Sequence, residues 1–338
     1  MGSLLAALRP LAFAAVLAAG SAVVAIVVAL SFDLPLRDPD GIAGPAYVRL
    51  PGIVALFVLA DLVPRLIRRR TFAVGTVLRE RWSRDRLLLV AVGLATFYLT
   101  YVSYRNLKNA LPFARPEVMD EALFDLDRTL TFGHEPSTVL HDLLGTGVAA
   151  HVLSFSYLLF LLFVPLSLAA ALVWGRSARI GSWYVTALCL NWLLGTASYY
   201  LVPSLGPIFV RPGLYADLPV TGVSALQQSL SESRARVIAD PSGADTIAGV
   251  AGFASLHCSI VFTAALIAHL VGLHRLIRWS LWVFFALTLL ATTYFGWHYL
   301  VDDAAGMLIG AASVAIAARA TRAPVPPATE PQRELQPV

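Results

Sequence analysis

The chain has 338 residues, of which 58% are hydrophobic and 14% charged, with a formal net charge of +4. A mean hydropathy of +0.72 excludes an ordinary soluble domain. The apolar residues gather in blocks of about 20, the length that crosses a bilayer as a helix.

Eight spans are predicted in chain order: 11–31, 47–66, 86–104, 151–174, 180–202, 255–274, 279–297 and 299–319. The fold class is therefore all-α, a polytopic membrane helical bundle of about eight transmembrane helices. The first span follows Arg9 and contains small residues at Ala19-Gly20-Ser21. Its apolar run exceeds a usual signal core, so it reads as a retained anchor. The two cysteines, Cys189 and Cys258, fall in or near spans and argue against a disulfide framework or a cysteine-based zinc site.

The loops set an orientation. Between Arg65 and Arg86 the arginines at 65, 68, 69, 70, 79, 81, 84 and 86 face only Glu80 and Asp85. The positive-inside rule makes this loop cytoplasmic. Alternation then puts the Arg176–Arg179 turn, the His274–Arg278 turn and the tail after Arg319 on the same side, and each of them is basic. Both termini are expected in the cytoplasm of a multi-pass cell-membrane protein. The positive charge reflects topology, and no nucleic-acid partner is expected. Segment 105–150 and loop 203–254 fall outside. The first carries Glu117, Asp120, Glu121, Asp125 and Asp127 and reads as short amphipathic helices on the outer surface. The second reads either as a lid or as disorder. The tail from Ala323 reads as disordered. No internal repeat is evident.

The chemistry lies in His257 and His298, 41 positions apart. That spacing takes the chain across a bilayer and back, so both imidazoles meet at the extracytoplasmic face. Asp302 follows His298 by four residues, on the same face of a helix. A neutral imidazole is a nucleophile toward phosphorus, a carboxylate on its other nitrogen fixes the tautomer, and a second, protonated histidine can serve the leaving group. Catalytic roles therefore fall to His298 as nucleophile, Asp302 as orienting acid and His257 as general acid. The phosphoryl oxygens then need a cationic cradle. Lys108, the one lysine among 25 basic residues, and Arg115 are candidates. A metal site is the weaker reading of two histidines and one carboxylate. His134, His141, His151, His269 and His274 lack comparable partners and read as structural.

The stretches Phe253-Ala254-Ser255-Leu256-His257 and His298-Tyr299-Leu300-Val301-Asp302-Asp303-Ala304-Ala305-Gly306 resemble the second and third motifs of the type 2 phosphatidic acid phosphatase superfamily. They look closest to its inositol phosphorylceramide synthase-like branch, which prefers Pro-Ser-Leu-His in the second motif. Lys108 to Arg115-Pro116 fits the spacing of the first motif, and Tyr199 to Pro207 also resembles a pattern of that branch. The resemblance covers the last six spans. It divides the chain into two accessory helices with a basic loop (1–85), a six-helix catalytic core (86–320) and a tail (321–338).

The resemblance implies a phosphohistidine mechanism with no cofactor and no metal, on the triad already named. Three departures stand out. Ala254 and Leu256 replace proline and glycine of the phosphatase second motif, and Ala291-Thr292 stands where the phosphatase third motif has Ser-Arg. Phosphate binding then falls to Lys108, Arg115, Arg105, Arg211 or backbone amides around Ser255. The expected activity is lipid phosphotransfer, with a phospholipid or polyprenyl phosphate as donor and an alcohol or glycan as acceptor. A lipid phosphate phosphatase is the alternative. A transporter or binding protein is the alternative of another class.

Overall fold

A computed structural model describes residues 8–38, 40–41, 44–69, 82–175 and 177–323. The middle of the basic loop, Arg176 and the tail expected to be disordered lie outside these residues. Eleven helices of nine residues or more are described. They are α1 (Ala12–Ser31), α2 (Ala46–Arg69), α3 (Arg84–Ala114), α4 (Asp120–Leu130), α5 (Pro136–Leu144), α6 (Val148–Trp174), α7 (Ala178–Leu201), α8 (Gly222–Ala239), α9 (Leu256–Leu270), α10 (Arg275–Tyr294) and α11 (Leu300–Thr321). Among the described residues, extended pairing is confined to Asp40–Gly41 with Gly44–Pro45.

Six of these helices, α1, α2, α3, α6, α10 and α11, are long and apolar enough to cross a membrane. The protein is a multi-pass membrane protein with an all-α bundle. The apolar side chains of α1 at Val16, Val23, Val27 and Leu30 point outward, as helices facing lipid require. The two other expected spans differ in kind. α7 has the length, but Trp183, Tyr184, Thr186, Asn191 and Trp192 dilute its hydropathy. Every residue from Gly181 to Trp192 is buried, so α7 is the axis of the bundle, surrounded by protein. α9 has only 15 residues, because the chain before it, from Val250 to Ser255, is non-helical and largely buried.

Serines set three helix starts. Ser83 accepts from Arg86 N, Ser177 from Ile180 N, and Ser255 from Cys258 N. Each satisfies an end amide that would otherwise lack a partner.

α9 and α11 cross where neither helix has bulk. A Cβ on Gly306 would stand 2.3 Å from the Ser255 carbonyl oxygen, and one on Gly310 would stand 2.8 Å from that of Ser259. This Gly-x-x-x-Gly face lets the two backbones touch. Gly306→Ala must push α11 off the helix that carries His257, at a cost of about 1–3 kcal/mol. A lowered melting temperature in detergent is the expected outcome, and unchanged melting would refute the close crossing.

Two expectations are corrected. α3 runs ten residues past the expected end at residue 104. Arg105 and Lys108 therefore stand on a continuous helix and not on an outer loop. Loop 203–254 is neither disordered nor a bare lid. It contains one helical turn at Pro207–Val210 and then α8, started by a Thr221–Ser224 capping box. α8 is tied to α6 by Val223 N donating to Ser154 Oγ at 3.2 Å.

Candidate active site

His298 sits in the tight turn between α10 and α11. Its own amide and that of Trp297 both donate to the Thr292 carbonyl, at 3.3 and 2.9 Å. Asp302 lies in the first turn of α11, fully buried. Its Oδ2 accepts from Tyr299 N at 3.0 Å and stands 3.4 Å from His298 Nδ1. The expected four-residue pairing is present. A carboxylate against Nδ1 fixes the proton there and leaves the Nε2 lone pair free. Burial pushes the His298 imidazole down to about 4, so it is neutral at physiological pH.

His257 is the second residue of α9. Its ring stacks on Tyr157 at 4.5 Å, rests against Phe160 at 4.1 Å, and has its centroid 6.1 Å from that of His298. Ser255 N donates to the Asp302 carbonyl at 2.9 Å, which ties the two histidine-bearing turns together.

Both histidines line a cavity of about 170 Å³, with Lys108, Arg105, Tyr104 and Tyr199 among its other walls. Lys108 Nζ lies 5.2 Å above the Tyr199 ring and 5.9 Å above that of Tyr104. Of the expected phosphate ligands, Lys108 and Arg105 thus share the cavity with the histidines. The other three are placed elsewhere. Arg115 donates to the Tyr200 carbonyl. Arg211 pairs with Glu121 and lies 4.1 Å over the Phe124 ring. Ser255 is fully buried, with its hydroxyl engaged as the cap of α9.

Thr292, where the phosphatase pattern has arginine, donates to Asp303 Oδ2 at 2.9 Å. Asp303 also accepts from Cys258 Sγ at 3.0 Å. It therefore belongs to a buried polar knot beside His298 and Asp302.

Sequence reasoning missed two carboxylates. The acidic helix α4 is amphipathic as expected, with Glu121 and Asp125 exposed, but its other two acids, Asp120 and Asp127, turn inward. Asp120 is buried and accepts from Leu205 N, Gly206 N and the Tyr299 hydroxyl, at 2.9, 2.9 and 3.0 Å. Asp127, also buried, accepts from Leu300 N, the first residue of α11. Both hold the chain just after His298, Asp120 through Tyr299 and Asp127 through Leu300. Gly206 completes the clamp. Its φ is +103°, and a Cβ there would stand 2.3 Å from the Trp297 carbonyl oxygen. A signal was present: the buried residues of α4 are 120, 123, 124 and 127. That is a core-facing stripe in which two of four positions are acids.

His141 also departs from expectation, because it does have a carboxylate partner. Its Nδ1 stands 3.3 Å from Asp217 and its Nε2 2.9 Å from the Tyr294 carbonyl. It fastens α5 to the end of α10.

The PAP2 superfamily profile matches residues 121–316, more than half of the chain. No curated protein and no solved structure matches. The matched stretch runs from α4 into α11 and encloses His257, His298 and Asp302, while Lys108 and Arg105 lie before it. The chain belongs to the PAP2 superfamily, a class of lipid phosphatases and phosphotransferases.

Proposed function

We propose that the protein is a lipid phosphotransferase of the inositol phosphorylceramide synthase-like kind, working through a phosphohistidine. The observation that carries this is the neutral His298 held by Asp302, facing His257 across a cavity that also contains Lys108 and Arg105. His298 Nε2 attacks the donor phosphorus. His257 gives its proton to the leaving oxygen, and the two cations bind the phosphoryl oxygens. An acceptor alcohol then takes the phosphoryl group from His298.

Transfer is favoured over hydrolysis by the walls. Tyr104, Tyr157, Phe160, Trp192 and Trp297 line the cavity, and the 203–254 segment adds Leu205, Phe209 and Leu226. Such a lining limits water at the phosphohistidine. Leu256, which replaces the glycine of the phosphatase pattern, lies directly over Gly195 of α7. The proposed site faces outward, with both termini inside. In support, Arg9, Arg179 and Arg322, from the ends of three helices, gather around one cleft, as a cytoplasmic face would have it.

The test is incubation of purified protein with a labelled lipid phosphodiester, with and without an acceptor alcohol. Acid-labile label on the protein and product that depends on the alcohol are expected. Equal release of donor phosphate without alcohol would assign a phosphatase instead.

The same assay carries a pH prediction. The attacking form is the neutral imidazole, and its protonation point lies near 4. A phosphodiester donor does not change charge over this range. Labelling is therefore expected to persist as the pH falls to about 5 and to be lost toward 4, while its alkaline limb follows the proton that His257 must give. An acid limb near 6.5 would mean that His298 is not held neutral by burial.

A further inference from the structure

Arg105 stands in two walls at once. It lines the catalytic cavity and also a second, wider cavity of about 380 Å³, together with Arg37, Asp38, Tyr47, Asp245 and Thr246. The segment 245–251 is shared in the same way. Its first three residues line the outer cavity, and Gly249, Val250 and Ala251 line the catalytic one.

The outer cavity is a built structure. On α3, Asn106 Oδ1 accepts from Arg37 N at 2.9 Å while its Nδ2 donates to Arg37 O at 2.8 Å. One turn on, Asn109 Oδ1 accepts from Ala248 N at 2.7 Å. These two amides pin the α1–α2 connection and the 245–251 segment on either side of Arg105. Asp38 is consumed in holding the wall, accepting from Ala46 N at 2.9 Å and from the Tyr98 hydroxyl at 2.7 Å.

What remains is uncommitted. Among the described residues, nothing engages the Arg37 guanidinium or the Asp245 carboxylate, and Arg105 Nε is buried without a partner. The two arginines balance the two aspartates, so the site favours neither an anion nor a cation. It offers donors and acceptors side by side, which is what vicinal hydroxyls need, since each hydroxyl both gives and takes a hydrogen bond. Tyr47, 58% exposed, adds an aromatic face at the rim. The volume lies in the range of small-molecule sites, about 300–1,000 Å³.

We infer that this outer cavity binds the polyhydroxyl group, a polyol or sugar, of the acceptor that discharges the phosphohistidine. The inference rests on the transferase reading above. It gives a use to the α1–α2 connection, which lies outside the family match. In the step itself, one acceptor hydroxyl passes Arg105 and its oxygen bonds to phosphorus. The phosphorus–Nε2 bond to His298 breaks, and the hydroxyl proton moves to His257, left neutral by the first half-reaction.

The experiment uses the full-length protein with Arg37→Gln, Arg37→Lys and Asp245→Asn. Labelled phosphohistidine is formed first, without acceptor. Discharge is then followed with glycerol, methyl glucoside, n-propanol, or vesicles carrying a glycosylated diacylglycerol. Phosphohistidine formation and discharge by n-propanol should match wild type. The acceptor KM for methyl glucoside should rise tenfold or more in all three variants. A rise confined to the glycolipid vesicles would support the same site with a lipid-borne acceptor. KM values within twofold of wild type for every polyhydroxyl probe, the glycolipid vesicles included, or discharge of wild type no faster with any probe than with water, would overturn the inference. Should wild type form no phosphohistidine, the catalytic reading falls on its own. The cavity is then judged by methyl glucoside raising the melting temperature of wild type but not of Arg37→Gln. Equal melting shifts would overturn it.

Discussion

His298→Ala should form no phosphoenzyme and lose at least about a thousandfold in turnover, because it removes the atom that bonds to phosphorus. Asp302→Asn should fold and still label, but about a hundred- to ten-thousandfold more slowly. Its Oδ2 stands 3.4 Å from His298 Nδ1 and is held in place by Tyr299 N. An amide keeps the shape but not the charge that fixes the tautomer and stabilises the phosphorylated ring. His257→Gln should behave differently. A proton donor matters most when the leaving group is poor, so its defect should be large with a lipid alkoxide and small with a nitrophenyl leaving group. Asp303→Asn is the local control, since Asp303 is bonded to Cys258 and Thr292. Stopped-flow labelling of the four variants, checked for fold by circular dichroism, separates these roles. Wild-type turnover in His298→Ala would end the covalent mechanism, and a uniform loss across both leaving groups would remove His257 as the acid.

Much of this was legible in the chain. The helix ends fall close to the expected spans, because about 20 apolar residues in a row have few other uses. The His298–Asp302 pairing follows from helical periodicity alone. What was not legible has a common cause, namely polar residues that are satisfied by partners far away in sequence. Arg105, Asn106, Lys108 and Asn109 lower hydropathy and suggested the end of α3, yet Asn106 and Asn109 bond backbone 69 and 139 residues away. The chain cannot announce such partners. α7 posed the same problem at larger scale: it reads as a span like the others, while its tryptophans, tyrosines and asparagine mark a helix enclosed by protein. Asp217 lies 76 residues from His141 (217 − 141), so that pair could not be read either.

The clamp on His298 carries the largest expected effect on stability. Asp120→Ala strands three donors, Leu205 N, Gly206 N and the Tyr299 hydroxyl. Each buried, unsatisfied donor costs about 1–3 kcal/mol, so the sum is about 3–9 kcal/mol, a large part of the stability of most domains. Asp120→Asn is milder. Its carbonyl oxygen can take the Oδ1 position and keep Gly206 N and Tyr299, while its amide group faces the Leu205 N–H and opposes one donor, at about 1–2 kcal/mol. Tyr299→Phe removes a donor instead of an acceptor, leaving the carboxylate with two amides, at about 1 kcal/mol or less. Melting temperatures in detergent should therefore fall in the order Asp120→Ala, then Asp120→Asn, then Tyr299→Phe. An acid on a solvated outer helix would leave all three within about 0.5 kcal/mol of wild type. Activity adds a second axis. Asp120 holds the 205–206 segment and Tyr299, which adjoins His298, yet touches no reacting atom. Releasing it should lower kcat for labelling in Asp120→Asn at temperatures where that variant is fully folded, with the alkaline and acid limbs of the pH profile unmoved. A shifted limb would mean instead that the Asp120 charge acts directly on His298.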